Sequence, residues 1–139
     1  MAEPGDIARL RDLVRDAAEA LEAEEPVEDD EEFSIDVPMD DSTTEPVSVF
    51  VADDDEQPWV LVYSVIGNIE DLDPVDLLER NFSPGFPYIA VDEGEALVCA
   101  SEPLDELDSD TLADLLANVA SWSGALREEF AEEGDAEAE

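Results

Sequence analysis

The chain has 139 residues, 42 of them Asp or Glu and only 5 basic, with no histidine, for a formal net charge of −37. That balance excludes nucleic acid as a direct partner, because phosphate contacts need clustered Lys or Arg, and it excludes anionic membrane surfaces on the same ground. Without histidine there is no Ser-His or Cys-His nucleophile, and without lysine there is no phosphate-loop lysine.

In chain order, residues 6–22 read as a helix with Ile7, Leu10, Val14, Ala17 and Leu21 on one stripe and Asp6 as its N-cap. Arg9, Arg11 and Arg15 interleave with acids on the opposite face, the pattern of a solvated face with i,i+4 pairs. Residues 22–32 are almost all acidic around Pro26 and read as a loop. Phe33, Ile35 and Val37 alternate with Ser34, Asp36 and Pro38, which predicts a half-buried strand whose proline suits an edge. After a polar loop, Val47, Val49 and Val51 mark a second strand. A turn through Asp53–Pro58 leads into the most apolar stretch, Trp59-Val60-Leu61-Val62-Tyr63-Ser64-Val65-Ile66. An uncharged run of this length predicts a strand buried on both faces.

Gly67 ends that strand. Asp73 and Pro74 then signal a helix start, with Leu72 and Leu77 placed as a hydrophobic staple. This short helix carries Val75, Leu77, Leu78 and Phe82, too many apolar residues to bury on one side. Phe86–Val91 and Ala96–Ala100 form a strand pair over the turn Asp92-Glu93-Gly94. Asp108 or Ser109 caps a final helix bearing Leu112, Leu115, Leu116, Val119, Trp122, Leu126 and Phe130. The order α-β-β-β-α-β-β-α describes an α+β domain, with helices packed on an antiparallel sheet. It spans residues 1–130 as one domain, and residues 131–139 are expected to form an acidic flexible tail.

The N-terminus lacks the charged and apolar segments of a signal peptide. No run approaches the length of a membrane span, so a soluble cytoplasmic protein is expected. Cys99 has no second cysteine to pair with and reads as a buried, inert residue; Trp59 and Trp122 read as core. The acidic clusters Asp53–Glu56 and Asp105–Asp110 lack the alternating calcium-loop pattern. No metal, cofactor or catalytic residue is therefore assigned, and no enzyme activity is expected. The strongest functional signal is surplus apolar surface at Leu78, Phe82, Phe86 and Tyr88, a candidate homodimer interface.

Two resemblances follow from these residues. Loss of lysine, with acids over every exposed segment, resembles the cytosolic proteins of haloarchaea, where screening over about 3 Å at 1 M salt silences self-repulsion. The element order, with Leu77-Leu78-Glu79-Arg80-Asn81-Phe82 leading to Tyr88–Val98 and Leu104–Asp108 leading into the last helix, resembles the type III secretion chaperone fold shared by YbjN-like proteins. The resemblance implies an acidic homodimer paired through the short helix and the strand after it. It also implies capture of a non-globular segment of another protein, with Phe33, Ile35 and Val37 as the candidate partner edge. The expected function is a non-enzymatic protein-binding or chaperone-like module. The alternative is a small-ligand regulatory domain with a pocket beneath the first helix.

Overall fold

A computed structural model describes residues 4–39, 43–54, 57–81 and 87–137. Its elements are α1 (Pro4–Ala20), β1 (Val27–Asp29), β2 (Glu32–Pro38), β3 (Thr44–Asp54), β4 (Gln57–Asn68), α2 (Pro74–Arg80), β5 (Tyr88–Asp92), β6 (Glu95–Pro103) and α3 (Ser109–Glu137). Short 3-10 turns at Ile69–Asp71 and Leu104–Glu106 precede α2 and α3. The strands make one antiparallel sheet in the order β1-β2-β3-β4-β6-β5. The α+β class read from the sequence is the fold found, with one strand more than expected.

The extra strand lies in the acidic segment 22–32, where a loop was expected. α1 ends with Glu22 in the left-handed conformation (φ 59°), while Ala23 N–H donates to the Ala18 carbonyl and Glu22 N–H to that of Glu19. The chain then pairs Val27 with Ser34 and Asp29 with Glu32. Asp30 and Glu31 close this hairpin, both with positive φ (51° and 66°), as a two-residue hairpin turn of the type that matches strand twist requires. The β5–β6 hairpin turns in the same way at Glu93 (φ 50°) and Gly94 (φ 83°). α3 also continues through residues 131–137 of the segment expected as a tail.

The helices lie on one face of the sheet. The expected stripe of α1 is buried at Ile7, Leu10, Val14 and Ala17, and α3 buries Leu112, Leu116, Val119 and Leu126. Beneath them, Phe33, Ile35 and Val37 of β2, Val47, Val49 and Val51 of β3, and Val60 and Val62 of β4 point inward. Ala96, Val98 and Ala100 of β6 continue the same layer. Full burial of one such side chain contributes roughly 1.5–3 kcal/mol, so this layer alone supplies a core of ordinary size.

Polar staples hold the helices in place, and the few arginines make them. Arg11 forms a bidentate pair with Glu28 of β1 (2.7 and 2.9 Å), which ties α1 to the first hairpin. Its partner is therefore 17 residues away rather than one turn along the helix. Arg80 bridges Asp76 (3.2 Å) and Glu129 (2.7 Å), joining α2 to α3. Arg127 of α3 donates to Glu45, to the Val65 carbonyl (2.9 Å) and to Ser64 Oγ (2.7 Å), whose hydroxyl donates to the Pro46 carbonyl (2.8 Å). A methyl group at Gly124 would stand 3.0 Å from Glu45 Oε1, so the glycine gives that carboxylate room beside α3.

The open face of the sheet as a candidate binding site

Strand alternation dictates what the other face carries. With Val60, Val62, Ser64 and Ile66 of β4 pointing at the helices, Trp59, Leu61, Tyr63 and Val65 point away. The register sets them beside like-facing neighbours: Leu61 faces Phe50, Val65 faces Leu97, and Leu97 faces Ala90. Tyr63, Cys99 and Tyr88 form one continuous cross-strand row. No helix roofs this side among the described residues. The strand predicted to be buried on both faces is buried on one, and the residues of its second face are only partly covered.

These side chains floor a concavity of about 840 Å³. One wall is the β1–β2 hairpin, Asp29–Glu32, and the other is the β5–β6 end, Asp92, Glu93 and Glu95. Tyr63 stands two strands from β2, a lateral gap of about 9–10 Å in a flat ladder, yet its hydroxyl donates to Glu32 Oε1 at 2.5 Å. The bond spans β3 and ties the first hairpin to the floor. Phe50 packs edge-on against Tyr63, with ring centroids 5.9 Å apart and an interplanar angle of 78°.

Two ionisable side chains on the floor, Tyr63 and Cys99, have raised pKa values. Burial, and then the hydrogen bond to Glu32, push the Tyr63 hydroxyl up to about 12. The Cys99 thiol is 4% exposed, because a tyrosine stands on either side of it, and burial pushes it up to about 11. The inert reading of this cysteine fits its surroundings. Among the described residues, no group of three acidic or thiol side chains converges as a metal site. The space beside α1 lined by Arg11, Val14 and Phe33 holds about 40 Å³, room for one water rather than a metabolite.

Of the sequence-predicted interface positions, Tyr88 lines this floor and Leu78 does not. Leu78 is 62% exposed on α2 and Val75 beside it 63%, while Tyr88 (37%) and Val91 (55%) stand on β5, the terminal strand of the sheet. Tyr88 faces the open floor beside Cys99, whereas Leu78 stands exposed on α2; Phe82 and Phe86 lie outside the described residues. Phe33, Ile35 and Val37 are core side chains at 1–2% exposure, so β2 offers a partner only its backbone. β1 already occupies that edge at Phe33 and Ser34 and leaves Ile35–Pro38 without a described neighbour on the outer side. Trp59 lies half-buried on the open face and Trp122 is 36% exposed on α3, so neither is part of the buried core. Phe50, Leu61, Val65 and Leu97 line the concavity and were not among the sequence-predicted positions. A signal for them existed in the sequence: an apolar strand with two greasy faces and too few helices to cover both.

No helix of the described residues is long and apolar enough to cross a membrane. No curated protein matches the chain in sequence. Its fold is similar to that of a chain in the HopA1–SchA chaperone–effector complex, at 20% identity and a TM-score of 0.65, covering 92% of this chain and 99% of that one. It is also similar to a chain in the complex of the Yersinia pestis type III secretion chaperone SycH with a stable fragment of YscM2 (20% identity, TM-score 0.53, 84% and 98% covered). A third likeness is to a chain of the ExoT–SpcS complex from Pseudomonas aeruginosa (18% identity, TM-score 0.60, 84% and 96% covered). The family profile of the Tir chaperone proteins matches residues 12–124, most of the chain. With the sheet, the helix order and this match in agreement, the chain belongs to the Tir chaperone protein (CesT) family of type III secretion chaperones.

Proposed function

We propose that this protein is a non-enzymatic chaperone that holds a non-globular segment of another protein against the open face of its sheet. The observation that carries this reading is the unroofed apolar floor of Phe50, Leu61, Tyr63, Val65 and Leu97, in a concavity of about 840 Å³. Soluble proteins seldom leave a contiguous apolar patch of this kind without a partner for it. One of the similar structures is a chaperone–effector complex and another is a type III secretion chaperone bound to a protein fragment, which supports the same role here. The chaperone works as a homodimer in the cytoplasm, paired through α2 and β5, where Val75, Leu78 and Val91 stand exposed. The outer side of Ile35–Pro38, without a neighbour among the described residues, gives the bound segment a second place to add as a strand. Concentrated salt is its working medium, since only there is a net charge of −37 screened over short distances.

The test is purification in multimolar KCl of the tagged protein and of a Leu61→Glu variant, side by side. Leu61 is part-exposed on the open face, so the variant is expected to fold, which its circular dichroism and elution volume check against the wild type. The wild type is expected to retain a stoichiometric polypeptide that the variant loses. Equal retention by both would move the binding site off this face.

A further inference from the structure

The acids of this chain are not all alike in their surroundings, and the difference indicates the chemistry of the bound segment. All five arginines sit on helices: Arg9, Arg11 and Arg15 on α1, Arg80 on α2 and Arg127 on α3. On that side, the carboxylates at the joints between elements each meet a guanidinium, as Glu28, Asp76, Glu129 and Glu45 do. The open face carries no cation. Its two walls, Asp29–Glu32 and Asp92–Glu95, make no ion pair among the described residues, and the only side-chain bond to them is the Tyr63 hydroxyl on Glu32. The hairpin turns stand at diagonally opposite corners of the floor, one closing β1–β2 and the other β5–β6, so an occupant crossing the apolar centre meets acid at both ends.

From this arrangement we infer that the occupant is a cationic amphipathic polypeptide segment, with an apolar centre and Arg or Lys at each flank. The inference rests on the chaperone reading above and specifies the partner that reading leaves open. A second copy of the chain is the wrong occupant for this face. Apposing two open faces would set uncompensated carboxylates against each other with no arginine on either side, and like-charge juxtaposition disfavours such pairing. A cationic flank supplies the counter-charge the walls lack, while the centre buries against Leu61, Val65 and Leu97. Charge then favours the partner and apolar contact holds it; in concentrated salt the charge contribution shrinks while the burial contribution remains.

The experiment uses the full chain and three labelled ten-residue peptides, titrated at 0.5 M and 3 M KCl. One has a Leu-Val-Ile-Leu centre with basic flanks, the second the same centre with acidic flanks, and the third basic flanks around a Gly-Ser centre. The first is expected to bind at least tenfold more tightly than either other peptide at 0.5 M, with the advantage over acidic flanks narrowing at 3 M. Neutralising the walls (Asp30→Asn, Glu31→Gln, Glu93→Gln, Glu95→Gln) should remove that advantage. Four equivalent changes on the helix side (Asp12→Asn, Asp16→Asn, Glu19→Gln, Asp114→Asn) should leave it intact. Equal binding of the first two peptides, both lost with Leu61→Glu, would overturn the cationic partner while the capture reading stands. Equal loss from wall and helix-side variants, or equal binding of the Gly-Ser peptide, would reduce the effect to bulk charge and overturn the inference. Binding by none of the three would sink the capture reading itself.

Discussion

The two faces of the sheet are both rich in apolar residues and end in opposite surroundings. On the helix side, Phe33, Ile35 and the inward valines of β2, β3, β4 and β6 are buried under α1 and α3. On the open side, Phe50, Leu61, Tyr63, Val65 and Leu97 are just as apolar and stay half-covered. Alternation along a strand tells which residues share a face, but whether that face is core depends on how much helix is available to lie on it. This chain has two long helices, and both pack on the same side. Apolar residues on the first face hold the fold together, and those on the second are free to hold something else.

Unequal substitutions should bring out this contrast most strongly. Leu116 is fully buried on α3, and Leu116→Ala should cost about 2–5 kcal/mol in denaturant unfolding in molar KCl. Leu97→Ser on the open face should cost about 1 kcal/mol or less by the same measurement. Comparable losses at the two sites would mean that the open face is part of the core. A smaller effect tests the polar staple that seats α3 on the sheet. Arg127→Met leaves Glu45 and Ser64 without their guanidinium, and Ser64 is 2% exposed. The expected loss is about 1–3 kcal/mol, the usual cost of stranding buried polar groups, and it should appear with peptide binding unchanged.

How much of this was legible in the sequence follows from where its signals were local. Asp73 and Pro74 announced α2, and the Asp73 carboxylate does accept from Val75 and Asp76 N–H. Asp108 caps α3 as one of the two residues expected, accepting from Thr111 N–H at 2.8 Å. Gly94 marked the β5–β6 turn, where a positive φ is easily adopted by glycine. The matching turn at Asp30–Glu31 has no glycine, so β1 read as acidic loop although it closes in the same geometry. The open face stayed hidden for another reason. A charge-free β4 looks the same whether its second face is buried under helices or open to a partner, and helix placement is a tertiary property that no local pattern encodes.

The smallest effect uses Cys99 as a reporter at the centre of the floor. Its folded pKa of about 11 lies above that of a free thiol. The thiolate fraction therefore stays low at neutral pH and rises about tenfold per unit until pH nears 11. Reaction with a disulfide reagent should follow that slope and slow further when the floor is occupied. A rate that plateaus near pH 8–9 would show that the thiol is exposed and the tyrosine row open.

The most direct measurement places a photo-crosslinking phenylalanine analogue at position 61 on the open face, or at position 78 on α2, and irradiates the complex formed in multimolar KCl. The account predicts that position 61 crosslinks to the captured polypeptide and position 78 to a second copy of the chain. Crosslinks to the polypeptide from position 78 with none from position 61 would contradict it, and would make the open face a surface without a role in capture.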